Sequence, residues 1–167
     1  DATTLDLAGL TATGTGTSSV TIAGAGASIL NGINATTDSI DATTATGALT
    51  LAAAQRTGDA KTIKGGEGAD SLAMENAGDT MAGGLGTNDT LVVAHTGIMG
   101  GISIDLSAAD QVATYDGSAN AASQSGFENV DVSAYTNFGA TIVGTDLANT
   151  ITGTGSTDSV NSGKGND

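Results

Sequence analysis

The feature that most constrains the fold is a series of nine-residue units between residues 65 and 93. The first unit, Gly65 to Ala73, reads G-G-E-G-A-D-S-L-A and matches the pattern G-G-x-G-x-D-x-U-x, in which U is a large apolar residue. The second unit, Met74 to Ala82, keeps the Asp and the apolar residue in frame, and the third, Gly83 to Val92, has one extra residue before its Asp. The apolar place is filled in turn by Ile63, Leu72, Met81 and Leu91. This regular series predicts one buried position in each half-coil of a stacked structure.

Each unit suits a turn followed by a short strand. The first six residues must fold back, and glycine tolerates the positive φ that such a turn requires. Carbonyl oxygens of the turn and one Asp carboxylate are hard ligands, of which Ca²⁺ takes about six to eight. The last three residues form a strand with one apolar side chain pointing inward. We therefore predict an all-β fold, a right-handed parallel β-solenoid or calcium-binding β-roll with an irregular insertion.

In these units the chain resembles the RTX (repeats-in-toxin) family of calcium-binding β-rolls. The resemblance implies that turns alternate between two edges and that one ion lies between two turns eighteen residues apart. Gly65–Asp70 and Gly83–Asp89 have this spacing, so we expect one Ca²⁺ between them. The other edge pairs Met74–Asp79 with Arg56–Lys61, where a lysine fills the sixth place. That pair is expected to bind weakly or not at all.

Two further units, Gly144–Thr152 and Gly153–Asn161, precede a last turn, Ser162–Asp167. The turn at 144–149 lies eighteen residues before this last turn, so the two are expected to share a second, weaker ion, because Asn149 offers a neutral oxygen. The partner turn of Asp158 is expected beyond residue 167. The candidate metal ligands are Gly65, Glu67, Gly68, Asp70, Asp79, Gly84, Gly86, Asp89, Asn149, Asp158 and Asp167.

A metal-free, glycine-rich solenoid is the alternative interpretation, because Asp and Asn in turns often only accept hydrogen bonds from their own backbone. Composition suits a thin solenoid of either kind, since aromatic residues make up only 2% of the chain and proline, which would interrupt stacked strands, is absent. The net charge of −14 argues against nucleic acid and anionic membrane surfaces as partners. No apolar run approaches the length of a membrane span, so membrane insertion is not expected.

The nine-residue units divide the chain into four predicted segments. Residues 1–55 are predicted to be a Thr/Ala-rich β-solenoid segment, with nine-residue steps from Val20 to Ile29 and from Ile40 to Leu49. Their composition resembles the solenoids of bacterial surface-layer (S-layer) proteins with RTX repeats. Residues 56–93 form the predicted RTX β-roll, 94–143 an excursion with strands returning to the solenoid, and 144–167 a second, truncated β-roll.

Within the excursion, Ile102–Leu106 predicts a strand and Ser107–Ser125 an irregular loop, with a short helix from Ser107 through Ala113 as one option. Phe127–Val132 predicts a return to strand. The phrase Gly126–Val130 resembles a segment that often reintroduces RTX rolls.

Catalysis is not expected. The single histidine, His95, cannot build a zinc protease motif, and there is no Cys and no G-x-S-x-G elbow. The resemblance implies a structural segment of a secreted bacterial surface protein. Such a chain leaves the cell unfolded by type I secretion, folds when it meets extracellular calcium, and associates with neighbouring copies in a surface lattice. The alternatives are an RTX adhesin or ice-binding module, and the C-terminal calcium-dependent secretion domain of an RTX enzyme.

Overall fold

The computed structural model describes residues 3–6, 18–31, 33, 37–52, 59–94 and 99–167, and in these ranges every regular element is a β-strand. No helix long and apolar enough to cross a membrane occurs among them. The strands are β1 (Thr3–Asp6), β2 (Ser19–Gly24), β3 (Ser28–Asn31), β4 (Ser39–Ala45), β5 (Leu49–Leu51), β6 (Thr62–Lys64), β7 (Ser71–Met74), β8 (Thr80–Ala82), β9 (Thr90–Val93), β10 (Ile102–Asp105), β11 (Val112–Tyr115), β12 (Ser118–Ala119), β13 (Gln124–Ser125), β14 (Asn129–Asp131), β15 (Ala140–Val143), β16 (Ile151–Thr152) and β17 (Ser159–Asn161).

The strands form three sheets. The long sheet has the order β1-β3-β5-β7-β9-β14-β16, the short sheet β2-β4-β6-β8-β13, and the third sheet β12-β11-β10-β15-β17. From β2 to β9 the chain alternates between the short and the long sheet, and every pairing in these two sheets is parallel. The described chain is thus an all-β solenoid of about 6 stacked turns, as the sequence predicts.

Two files of apolar side chains fill the space between the long and short sheets. In the long sheet Leu51 is in register with Leu72, and Leu72 with Leu91. In the short sheet Ile63 is in register with Met81. All of these side chains are buried, and burial of each stabilises the fold by about 1.5–3 kcal/mol. The predicted apolar series is therefore confirmed as one buried residue per half-coil.

The nine-residue rhythm does not extend into the first part of the chain. Val20 is in register with Ile40 and Ile40 with Ile63, so the second of these coils is twenty-three residues long. Leu30, not Ile29, lies in the file with Leu51. The predicted nine-residue steps are wrong here, because register follows the core-facing side chains while the connections between strands vary in length.

The insertion after β9 contains a small antiparallel unit in which β10 pairs with β11 and β11 with β12. The strand predicted at 102–106 is confirmed, but the helix at 107–113 and the loop through 125 are wrong. Asp105 explains the difference, because its Oδ1 accepts both the backbone N–H of Ser107 (2.9 Å) and the Ser107 hydroxyl (2.6 Å). This local turn competes with helix formation and reverses the chain into β11.

The chain rejoins the solenoid directly above the point where it left. β13 pairs with β8 in the short sheet, and β14 pairs with β9 in the long sheet. The predicted strand after Phe127 is thereby confirmed. The last coils then place β15 beside β10 in the third sheet and β16 beside β14 in the long sheet. The long sheet consequently continues without a gap on both sides of the insertion.

Candidate metal site at the stacked turns

The turns lie on two edges of the solenoid. The first edge carries the connections that lead into the long sheet, including 65–70, 83–89, 126–128 and 144–149, and residues 162–167 stack on the last of these. The second edge carries the connections that leave the long sheet, including 75–79 and 153–158. On the first edge the Leu85 N–H donates to the Gly66 carbonyl oxygen at 2.8 Å. The Gly65 N–H likewise donates to the Ala82 carbonyl oxygen at 2.9 Å. The two turns predicted to share an ion are therefore direct neighbours in the stack.

Three oxygen atoms converge beside Gly86. A Cβ atom at this position would collide with the Gly68 carbonyl oxygen and would lie 3.0 Å from the Glu67 carbonyl oxygen and 3.2 Å from Asp89 Oδ1. Glycine is required here by the close approach of the neighbouring turn. Positive φ is the reason at Gly84, whose φ is +127°. At both positions the absence of a side chain lets main-chain carbonyl groups of neighbouring turns lie close to one another.

The side chain at the sixth place of a unit has a second, structural role. It accepts the backbone N–H of the sixth-place residue one coil earlier, and we call this series the sixth-place ladder. The acceptor–donor pairs are Asp38–Ser18 (2.7 Å), Asp70–Leu49 (2.6 Å), Asp79–Lys61 (2.8 Å), Asp89–Asp70 (2.7 Å), Asp158–Ala140 (2.8 Å) and Asp167–Asn149 (3.0 Å). Each such side chain therefore links two successive coils.

Three of the carboxylates in the ladder, and Asn149, also accept a hydrogen bond within their own turn. The residue four places earlier donates its N–H to Asp70 (2.7 Å), Asp79 (3.0 Å) and Asp158 (2.9 Å), and Thr145 donates to Asn149 Oδ1 (2.7 Å). Burial opposes ionisation of Asp158, but hydrogen bonds from Thr154 and Ala140 outweigh it and lower the pKa. Both oxygens of these three carboxylates are thus held by the main chain, which is the arrangement that a metal-free solenoid would need.

Asp89 differs from the others in one oxygen. Its Oδ1 accepts the Asp70 N–H, but its Oδ2 is buried without a hydrogen-bond partner. The extra residue of this unit is the cause, because Asn88 adopts a φ of +77° and the N–H of Leu85, four places before Asp89, points to Gly66 instead. Burial raises the pKa of Asp89 to about 6. The hydrogen bond from the Asp70 N–H lowers this pKa, while the negative charges of Asp70 and Glu128 raise it further. The geometry leaves this carboxylate in need of a cationic partner.

The donors at this point fit a hard divalent cation. Carboxylate and main-chain carbonyl oxygens, here those of Asp89, Glu67 and Gly68, are the ligand type that Ca²⁺ prefers. Over the described ranges, no three carboxylate or imidazole side chains lie close enough to hold a metal ion by themselves. At Gly86 the stacked turns instead bring Asp89 Oδ1 together with two main-chain carbonyl oxygens, and Asp89 also has Oδ2 without a hydrogen-bond partner.

The other predicted ligands occupy separate places. Asp79 lies on the second edge, where it accepts the backbone N–H of Lys61. The beginning of the predicted partner turn, including Arg56, lies outside the described residues. His95 also lies outside them. Asn149 and Asp167 stack on the first edge as predicted. The sequence did not suggest a neighbouring turn for Asp158 within the chain. In the structure the turn that ends at Ala140 lies one coil below Asp158.

Sequence reasoning also missed Glu128. Val130 is in register with Leu91, so Glu128 stands at the sixth place of the coil above Asp89. Its Oε2 accepts the Asp89 N–H at 2.9 Å, as the other members of the ladder do. An acidic residue two places before a core-facing Val is the same signal as in the nine-residue units, and it would have identified Glu128.

No protein-family model matches this chain, and neither the curated proteins nor the solved structures contain a significant match. Function is therefore inferred from the stacked turns themselves.

Proposed function

We propose that this chain is a structural segment of a secreted bacterial cell-surface protein of the S-layer type, folded and assembled by calcium bound in its RTX-like turns. The observation that carries the proposal is the buried, unpartnered Oδ2 of Asp89, whose other oxygen, Oδ1, lies near the Glu67 and Gly68 carbonyl oxygens at Gly86. A cation at this point supplies the interaction that the protein itself does not provide.

Calcium binding is a plausible source of folding free energy for this chain. The core is two narrow files of side chains, and a net charge of −14 opposes compaction. A metal that binds only the folded turns stabilises the folded state by its binding free energy. Extracellular calcium modules often have dissociation constants of about 10⁻⁴–10⁻³ M, so such a chain stays unfolded in the cell and folds outside it.

Of the alternative functions, ice binding has the least support from the surface. On the short sheet, Ser39, Thr62 and Thr80 form one polar row, but the next row contains Asp41 and Lys64. A charged row beside a threonine row does not give the flat, uniform hydroxyl face that ice binding demands. An adhesin module or a secretion domain shares the same calcium chemistry and differs in what the rest of the protein does.

Calcium is expected to order this chain. In EGTA the circular dichroism spectrum should be largely that of a disordered backbone, and millimolar CaCl₂ should restore the β signal because the ligand binds only the folded turns. Trimethylamine N-oxide should populate the calcium-free fold, so calcium-free stability is measured in EGTA with this osmolyte present. Magnesium at the same concentration as calcium is the control, since it demands a smaller octahedral site and keeps its waters. A β spectrum that is identical with and without calcium would refute the calcium-dependent function.

Assembly is the second expectation. The full-length protein should form ordered sheets in calcium, visible by negative-stain electron microscopy, and these should disperse on addition of EGTA. Calcium-loaded protein that stays monomeric at high concentration in analytical ultracentrifugation would favour the adhesin or the secretion domain.

A further inference from the structure

The segment that follows the insertion lies directly on the turn that contains Asp89. The N–H groups of Glu128 and Asn129 both donate to the Asp89 carbonyl oxygen, at 3.1 and 2.9 Å. In the reverse direction Glu128 Oε2 accepts the Asp89 N–H at 2.9 Å. Three hydrogen bonds thus fix the backbone of Asp89 from above, while its carboxylate reaches down to Asp70.

Glu128 also brings a negative charge close to Asp89, since its Oε2 lies 2.9 Å from the Asp89 backbone nitrogen. Asp89 is fully buried and Glu128 partly buried, so the charges of the two carboxylates are poorly screened by solvent. Without a cation this proximity is unfavourable. With a divalent cation at Asp89, the second carboxylate adds attraction even where it does not contact the ion.

We propose that Glu128 is a positioning residue of the cation site at Asp89, so that the site is completed by a residue from beyond the insertion. Glu128 orients Asp89 through the Asp89 N–H and strengthens cation binding through its charge. The inference rests on the proposed function, because it assumes that calcium binds at Asp89. It implies that calcium binding and docking of the 126–128 turn favour each other reciprocally.

The test is calorimetric titration of calcium into the whole chain carrying Glu128→Gln. Glutamine keeps an oxygen that can accept the Asp89 N–H but removes the charge. Asp131→Asn is the matched control, because Asp131 is three residues away and its carboxylate accepts the nearby Ser133 N–H at 2.9 Å, whereas the Asp89 N–H is bound by Glu128. We expect Glu128→Gln to weaken calcium binding by about 3- to 30-fold and Asp131→Asn to change it by less than about 2-fold.

Unfolding by urea in EGTA provides the readout that separates positioning from a purely structural role. Glu128→Gln should leave calcium-free stability unchanged or raised, because a repulsion is removed while the hydrogen bond is kept. Equal calcium affinities for Glu128→Gln and Asp131→Asn would overturn the role of Glu128 but not the proposed function. The same conclusion would follow if Glu128→Gln lost as much stability in EGTA as is needed to explain its weaker calcium binding. A wild-type chain that binds no calcium would instead overturn the proposed function.

Discussion

Replacing Asp70 with alanine is expected to destabilise the calcium-free fold by about 2–6 kcal/mol, and replacing Asp79 by about 1–3 kcal/mol. Asp70 accepts the N–H groups of Leu49 and Gly66, and Asp79 accepts those of Lys61, Glu75 and Asn76. Both carboxylates are buried, and truncation removes the acceptor of two buried N–H groups at Asp70 but of only one, that of Lys61, at Asp79, because Glu75 is half-buried and Asn76 is exposed. Each such group costs about 1–3 kcal/mol.

Urea unfolding at pH 7 measures this effect, once in EGTA with trimethylamine N-oxide added to populate the calcium-free fold and once in calcium. Asp59→Ala is the control for lost negative charge, because Asp59 is exposed. Calcium affinity should separate the two variants, because Asp70 adjoins the Asp89 site whereas Asp79 lies on the other edge. A large loss of calcium affinity in Asp79→Ala would show that the cation-binding edge has been misassigned.

Asp89→Asn is expected to change stability and calcium affinity in opposite directions. The substitution keeps an oxygen that can accept the Asp70 N–H and removes a buried negative charge that lies near Asp70 and Glu128. Calcium-free stability at pH 7 should therefore rise. The available carboxylate ligand is lost at the same time, so the calcium dissociation constant should increase at least about tenfold.

The pH dependence of stability gives an independent check in EGTA. The folded-state pKa of Asp89 is raised from 3.8 to about 6, so between these values the folded state binds more protons than the unfolded state. Stability contributed by this group is therefore highest at low pH, falls as pH rises through this window and is constant above it. The stability advantage of Asp89→Asn over wild type should open between pH 4 and pH 6. An advantage that is independent of pH would mean that Asp89 ionises normally in the fold.

The spacing of residues predicted the parts of the fold that depend on regular stacking. Leu72, Met81 and Leu91 identified the buried files because each short strand has one inward position per unit. The same spacing identified Asp70 and Asp89 as neighbours, because turns one coil apart on one edge must stack. The buried files needed only local pattern and the geometry of short strands, whereas the pairing of the two turns came from the resemblance to RTX β-rolls.

Two features were not accessible in this way. Glu128 was missed because the insertion separates it from Asp89 by thirty-nine residues, so no repeat count connects them. The orphaned oxygen of Asp89 depends on how the extra residue at Asn88 is accommodated, with its positive φ, and sequence shows the insertion without its conformation. The helix predicted from Ser107 failed for a similar reason, because Asp105 uses its side chain to form a turn instead.

The sixth-place ladder reaches only one coil down, so each coil is held by its immediate neighbours and not by a shared globular core. Under tension such a stack yields from its end, one coil at a time. A coil adds about 4.8 Å to the stack, whereas eighteen residues of extended chain span roughly 60 Å. Each released coil would therefore lengthen the molecule more than tenfold locally, and a cation bound at Asp89, as proposed, would raise the force at which that coil opens.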